Sequence, residues 1–241
     1  MFTNSYLKQN LSEKNYRPIF IWNILLFITL ILQLFAWYLA LFQIGADTDQ
    51  GNVYRIIFVH VPIAWCAFFW FFYSAFFGIL CLISKKMSTQ FDRSSHTAME
   101  LGVLFSFLVL LTGSLWGKPT WGVWWDWDPR LTSSLVLFLM GCAYLLLRYF
   151  TPNQHTRKRV SSVVSILGAL NVPIVYFSVN LWRSLHQPQT FVTNSPNASK
   201  DIIFVLIFNF IVTFLLSIVI YKIRRQSVSA NETLEECRGQ M

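Results

Sequence analysis

Six stretches of the chain are apolar almost without interruption, and short polar segments separate them. They run from Phe20 to Gln43, Ile56 to Ile83, Glu100 to Trp116, Leu131 to Phe150, Val160 to Leu181 and Ile202 to Tyr221. A helix rising 1.5 Å per residue needs about 20 residues to cross a hydrocarbon core, so each stretch predicts one transmembrane helix. The connecting segments are too short to hold a separate soluble domain. The fold expected is all-α: a polytopic membrane protein of six transmembrane helices, one domain over 1–241, with a cytoplasmic tail at 222–241. A polar stretch precedes the first apolar run, and that run is of full spanning length, so no cleavable signal peptide is expected.

Basic residues orient the bundle. Fourteen of the 19 Lys and Arg residues fall in the N-terminal arm, the second and fourth loops and the tail; Arg55, Lys118, Arg130, Arg183 and Lys200 lie on the other side. The positive-inside rule then predicts both termini in the cytoplasm, or in the matrix of an organelle, with the first, third and fifth loops facing outward.

Composition agrees and narrows the class. Of 241 residues 55% are hydrophobic and 12% charged, about half the charge of a soluble domain. A water-soluble globule, a disordered chain and a disulfide mini-protein are excluded. The net charge of +8 on so apolar a chain points to anionic lipid head groups and orientation signals, with no nucleic acid as partner. Cys66, Cys81, Cys142 and Cys237 form no C-x-x-C pair or haem-attachment motif and read as small apolar fillers. There is no repeat of fixed period and no Walker A loop, which argues against a nucleotide-hydrolysing subunit.

The third loop, 117–130 on the outward side, carries the chemistry. The segment Trp116-Gly-Lys-Pro-Thr-Trp-Gly-Val-Trp-Trp-Asp-Trp-Asp-Pro-Arg130 contains five of the ten tryptophans. An interfacial aromatic belt scatters such residues over many helix ends. Here Trp121, Trp124 and Trp125 stand at i, i+3, i+4 spacing, which predicts one continuous indole face and a planar, apolar guest with a polar edge. Asp128, just before Pro129 and the apolar run, reads as a helix N-cap; the role of Asp126 stays open.

Of four histidines, His96 and His155 fall beside Arg or Lys in inward loops and read as solvated. His60 lies in the first two turns of the second span, whose 28 residues extend over about 42 Å and outrun the hydrocarbon slab. His186 follows the fifth span, after Trp182 and Arg183 on what reads as a short helical extension. Two outward histidines on different helices beside an aromatic platform suit the axial ligation of a haem iron. Arg55, Arg130 and Arg183 are placed to neutralise its propionates. A zinc ion would also accept two histidines, but it gives no reason for the tryptophans.

The stretch Trp121-Gly-Val-Trp-Trp-Asp-Trp-Asp-Pro-Arg-Leu-Thr-Ser134 resembles the tryptophan-rich "WWD" signature of haem-handling membrane proteins in cytochrome c maturation. With six spans, about 240 residues and one histidine in each flanking outward region, the chain is similar to the haem exporter protein C family, CcmC. The larger haem lyase subunits CcmF and CcsA carry related W-D-P motifs. Asp-Pro here, where Asp-Ala is common, is a small departure, and Arg130-Leu-Thr-Ser follows the exporter pattern.

The resemblance implies haem b as transported cargo at the outer face of a bacterial inner membrane, or of the mitochondrial one. His60 and His186 match the axial ligands. Trp121, Trp124, Trp125, Trp127 and Asp128 match the loop that supports the haem and docks the chaperone CcmE. It also implies covalent attachment of haem to a CcmE histidine, and CcmA, CcmB and CcmD as complex subunits. The chain would be a transfer protein and no classical enzyme. A b-type electron-transfer subunit is the alternative, disfavoured by two histidines near one surface. A small-solute permease would want polar groups at mid-membrane, where Asn171 and Asn209 read instead as interhelical hydrogen-bond partners.

Overall fold

The computed structural model describes residues 3–84, 86–182 and 200–239, with side chains described within 20–84, 86–180, 182 and 200–230. Among the described residues there are six α-helices: α1 (Thr3–Tyr38), α2 (Ile57–Ile83), α3 (Ser88–Trp121), α4 (Pro129–Phe150), α5 (Gln154–Leu181) and α6 (Lys200–Gly239). A π-helical turn, Leu39–Gln43, extends α1, and a 3₁₀ turn, Asn52–Ile56, leads into α2. All six are long and apolar enough to cross a membrane. The fold is the expected all-helical polytopic one.

Helix α2 is the central element and packs on α3, α5 and α6, while α1 rests mainly on α6. Three apolar clusters hold these contacts. One joins α2, α3 and α6 around Trp70, Leu101 and Tyr221, with the Trp70 and Tyr221 rings stacked at 4.9 Å. A second joins α2, α3, α4 and α5 around Phe71, Met99, Tyr144 and Val172. The third seats Ala40 and Ile44 against Phe58 and Leu206. Where lipid is as apolar as the side chains, burial gives no driving force between helices, and close packing with interhelical hydrogen bonds supplies it.

Those hydrogen bonds are present. The Asn209 amide donates to the Ala36 carbonyl at 3.1 Å, and the Thr213 hydroxyl donates to Gln33 Oε1 at 3.0 Å, tying α6 to α1. The Asn171 amide donates to the Ser133 carbonyl at 3.0 Å, tying α5 to α4. Both asparagines therefore serve as the sequence suggests. Ser74 and Ser95 bond each other's carbonyls at 2.9 Å across α2 and α3.

Helix α3 begins twelve residues before the expected Glu100 and continues to Trp121. Its early turns look polar, but Asp92, Ser94, Ser95 and Thr97 are buried: Asp92 bonds to Arg148 of α4 and Ser95 to Ser74 of α2, while Ser94 returns its hydroxyl to the Gln90 carbonyl of its own helix. The reading of His96 as a solvated loop residue is corrected. It lies within α3, its ring stacks on Tyr144 at 6.3 Å, and Nε2 stands 3.7 Å from a Glu100 oxygen. His155 is exposed as expected. Arg148, one of the fourteen basic residues of the inward side, lies in the last turn of α4, where it is buried and makes a bidentate pair with Asp92 at 2.6 and 2.9 Å. Arg224 pairs with Glu100 at 2.6 and 2.8 Å. The end carrying the chain termini is thus cross-linked by charge from α3 to α4 and from α3 to α6. Cys66, Cys81 and Cys142 are free thiols in the helices.

Candidate functional site

At the opposite end, His60 sits in the first turns of α2 and meets the last turns of α3. Its Nδ1 lies 2.8 Å from Thr112 Oγ1. Thr112 Oγ1 also lies 2.7 Å from the Leu108 carbonyl. With its hydrogen donated there, the oxygen accepts from the ring and Nδ1 carries the proton, the tautomer that leaves Nε2 as the basic nitrogen. The ring also meets Trp116 edge to face, with centroids 5.8 Å apart. Gly113 eases this approach: a Cβ there would stand 3.3 Å from His60 Cε1, close enough that the ring would have to give by a few tenths of an ångström.

Trp116 is fixed from its other side by the first loop. Asp47 Oδ1 accepts from the backbone N–H groups of Asp49 and Gln50 at 2.9 and 2.8 Å, and Gly51 closes the turn by bonding back to Asp47. This Asx turn presents Gln50, whose Oε1 accepts from the Trp116 indole N–H at 2.9 Å. The chain Gln50–Trp116–His60–Thr112 therefore runs from the first loop into the α2–α3 contact. Thr112, Trp116 and Gln50 were not picked out as ligand-orienting residues by sequence, since partners 52 and 66 residues apart leave no local pattern.

The expected helical indole face is overturned. Helix α3 stops at Trp121 because Gly122 takes the left-handed conformation, φ 81°, and its N–H caps the Lys118 carbonyl at 3.0 Å. Lys118 Nζ then holds the Gly122 carbonyl at 2.9 Å. At the far side the residue before a proline is pushed out of the helical region, and Asp128 is extended. Residues 122–128 are consequently irregular, so Trp124 and Trp125 share no helix face with Trp121. Trp121 instead lies against Gly117, and Trp125 meets Trp127 in a T-shaped contact at 5.7 Å. Two of the indoles are exposed all the same, Trp127 at 73% and Trp124 at 57%, while Trp121 and Trp125 are half-buried.

Asp128 is buried and caps α4, its Oδ1 accepting from the Arg130 backbone N–H at 2.9 Å, with Pro129 in the first helical position. The sequence reading of it as an N-cap holds. Arg130 is half-buried in the first turn of α4. The Arg55 guanidinium donates through Nε and Nη2 to the Ile44 carbonyl at 3.1 and 2.8 Å, so part of its donor set clamps the end of the π-helical turn to the entry of α2. His186 and Arg183 lie outside the described residues. Helix α5 ends at Leu181 and Trp182 is extended, φ −132° and ψ 157°, so the expected helical extension does not include Trp182. That indole, 53% exposed, lines a cavity of about 310 Å³ with Pro129, Ser133 and Asn171.

Relatives sharpen what this arrangement is. A ccmC-like mitochondrial protein of cytochrome c biosynthesis from Marchantia polymorpha is 41% identical over 155 residues, 64% of this chain and 64% of its own length. Heme exporter protein C of Bradyrhizobium diazoefficiens is 40% identical over 142 residues, covering 59% of this chain and 53% of its own length. The protein of the same name from Escherichia coli is 37% identical over 147 residues, 60% and 58% respectively. This chain thus aligns with less than two thirds of each relative. The family pattern described as Heme exporter protein C, by contrast, matches residues 9–238, nearly the whole chain, and the protein belongs to that family.

Proposed function

We propose that this chain holds haem b as cargo at the tryptophan-rich end of its helix bundle and surrenders it to a haem chaperone of the CcmE type during cytochrome c maturation. The observation that carries this reading is His60 itself: a histidine pinned through Nδ1 to Thr112, at the same end as a group of exposed indoles. The relatives named Heme exporter protein C support the choice of cargo. His60 supplies one axial nitrogen and His186 the other. Trp124, Trp125 and Trp127 present apolar ring faces to the porphyrin, while Trp121 and Asp128 fix the two ends of the loop. Arg130 and Arg183, with the donors of Arg55 not used on Ile44, balance the propionates.

The protein's own part is to bind, orient and release. An exposed loop suits release, because a chaperone must reach one face of the ring while the other stays supported. The reading is that of a transfer protein and not a classical enzyme. CcmA, CcmB and CcmD are the expected companions in the membrane. Truncating one stacking indole removes about 1 kcal/mol and leaves both iron–nitrogen bonds, so a Trp124→Ala/Trp125→Ala protein should keep detectable haem yet load little CcmE. Covalent haem on co-expressed CcmE, measured beside haem co-purifying with this chain, is the test. Normal loading by the double variant would reduce the tryptophans to an interfacial belt.

The basic asymmetry of the sequence supports an orientation with both termini in the cytoplasm and the tryptophan loop outside, in a bacterial inner membrane or its mitochondrial counterpart. Reporter fusions after Arg157 and Arg225 should accordingly read cytoplasmic, and a fusion at Lys118 outward. An outward signal at Arg157 would reverse the bundle and with it the side on which haem is offered.

A further inference from the structure

We propose that the basic end of the bundle binds the head group of an anionic phospholipid in a cavity between α1, α3 and α6. The cavity measures about 460 Å³ and is lined by Trp22 of α1, Gln90 and Arg93 of α3, and Lys222, Arg225 and Gln226 of α6, a volume within the range of small-molecule sites. Lys222, Arg225 and Gln226, with Ser229 one turn on, follow i, i+3, i+4, i+7 spacing and so share one face of α6. Gln90 and Arg93 share one face of α3. Arg93 donates to Ser229 Oγ at 3.2 Å, which holds the two walls together.

Charge gives the chemistry. Three of the described lining residues are cations and none of them is acidic. The contrast with the neighbouring residue is informative, because Arg224 turns away to a bidentate partner, Glu100. Helix α6 therefore pairs a cation internally at one position and gathers cations around a cavity at the next. Like charges brought together repel, and an anion between them removes the repulsion.

Depth decides the source of that anion. Trp22 stands two residues inside the start of the apolar run of α1, and Lys222 immediately follows the last apolar residue of α6, Tyr221. The cavity is thus level with lipid head groups, where indoles settle. Beyond it the flank of α1 presents Phe20, Ile24 and Phe27 outward, a surface on which acyl chains can lie. A soluble phosphate would use the cations alone. Basic pockets between transmembrane helices on the positive side take phospholipid head groups by this combination.

The test uses the full-length protein in detergent, with native mass spectrometry reading retained lipid after addition of cardiolipin or phosphatidylcholine at equal concentration. Cardiolipin should be retained in clear preference, and raising salt should reduce that retention in the unaltered protein. A Lys222→Gln/Arg225→Gln protein should lose it by an order of magnitude or more, at about fivefold per cation removed. Lys158→Gln, at the same end but bonded to Thr89 and outside the cavity, should not. Equal retention of phosphatidylcholine, an equal loss in the Lys158 variant, insensitivity to salt, or full displacement of cardiolipin by inorganic phosphate would each overturn the proposal. If the double variant does not fold, the salt and phosphate arms on the unaltered protein still decide it.

Discussion

Replacing His60 with glycine is expected to strip the purified protein of most of its haem and to turn the remainder from a six-coordinate into a five-coordinate species. Exogenous imidazole should refill the gap and restore the six-coordinate visible spectrum, since Trp116 and Gly113 keep the space beside the ring. The structure adds a finer expectation through Thr112. That hydroxyl is hydrogen-bonded to Nδ1 and so fixes the ring plane. Groups of this kind typically change metal affinity by 10- to 100-fold when removed. Thr112→Val should therefore retain bis-histidine coordination at weakened affinity, and Thr112→Ser should restore it. A His60/His186 double replacement that keeps a full six-coordinate spectrum would end the axial-ligand assignment. A Thr112→Val protein with unaltered affinity would leave that assignment standing and remove the orienting role.

The spans were legible because lipid imposes them. A backbone crossing hydrocarbon must satisfy its polar groups internally over about 20 residues, and that requirement writes itself as an unbroken apolar run. What hydropathy cannot register is a helix that buries polar side chains against other helices. The early turns of α3 are such a case: Asp92, Ser94, Ser95 and Thr97 look like loop residues and are interior ones. His96 was misread for the same reason.

The tryptophan segment shows a different limit. Its composition announced a site, and Asp128-Pro129 announced the start of α4, because caps depend on neighbours in sequence. The shape of the loop did not follow, since i, i+3, i+4 spacing means a shared face only while the backbone stays helical. One left-handed glycine, Gly122, ended α3 at Trp121, and the indoles were left to pair as Trp125 with Trp127. The groups that orient His60 were invisible because Thr112, Trp116 and Gln50 arrive from other segments.

The same blindness concealed the most buried charge pair among the described residues, and its removal should produce a large loss of stability. Asp92 and Arg148 are 5% and 9% exposed and bond through both oxygens, while the Arg148 guanidinium also lies 5.8 Å from the Tyr144 ring centroid. Tyr144 is fully buried in the cluster that joins α2, α3, α4 and α5. Asp92→Asn or Asp92→Ala therefore leaves a buried, permanently charged arginine facing that cluster. Breaking one side of a buried pair costs about 3 to 5 kcal/mol, whereas replacing both partners by apolar residues of similar volume is often neutral. An Asp92→Leu/Arg148→Leu protein should consequently be more stable than either single loss, with thermal unfolding followed by monodisperse elution from membranes. The pair lies at the end remote from His60, so haem bound per folded molecule should stay near normal in the single variants even as their yield falls. Single variants as stable as the unaltered chain would show that the guanidinium finds another partner or water. A loss of haem beyond the loss of folded protein would show that this end of the bundle communicates with the tryptophan end.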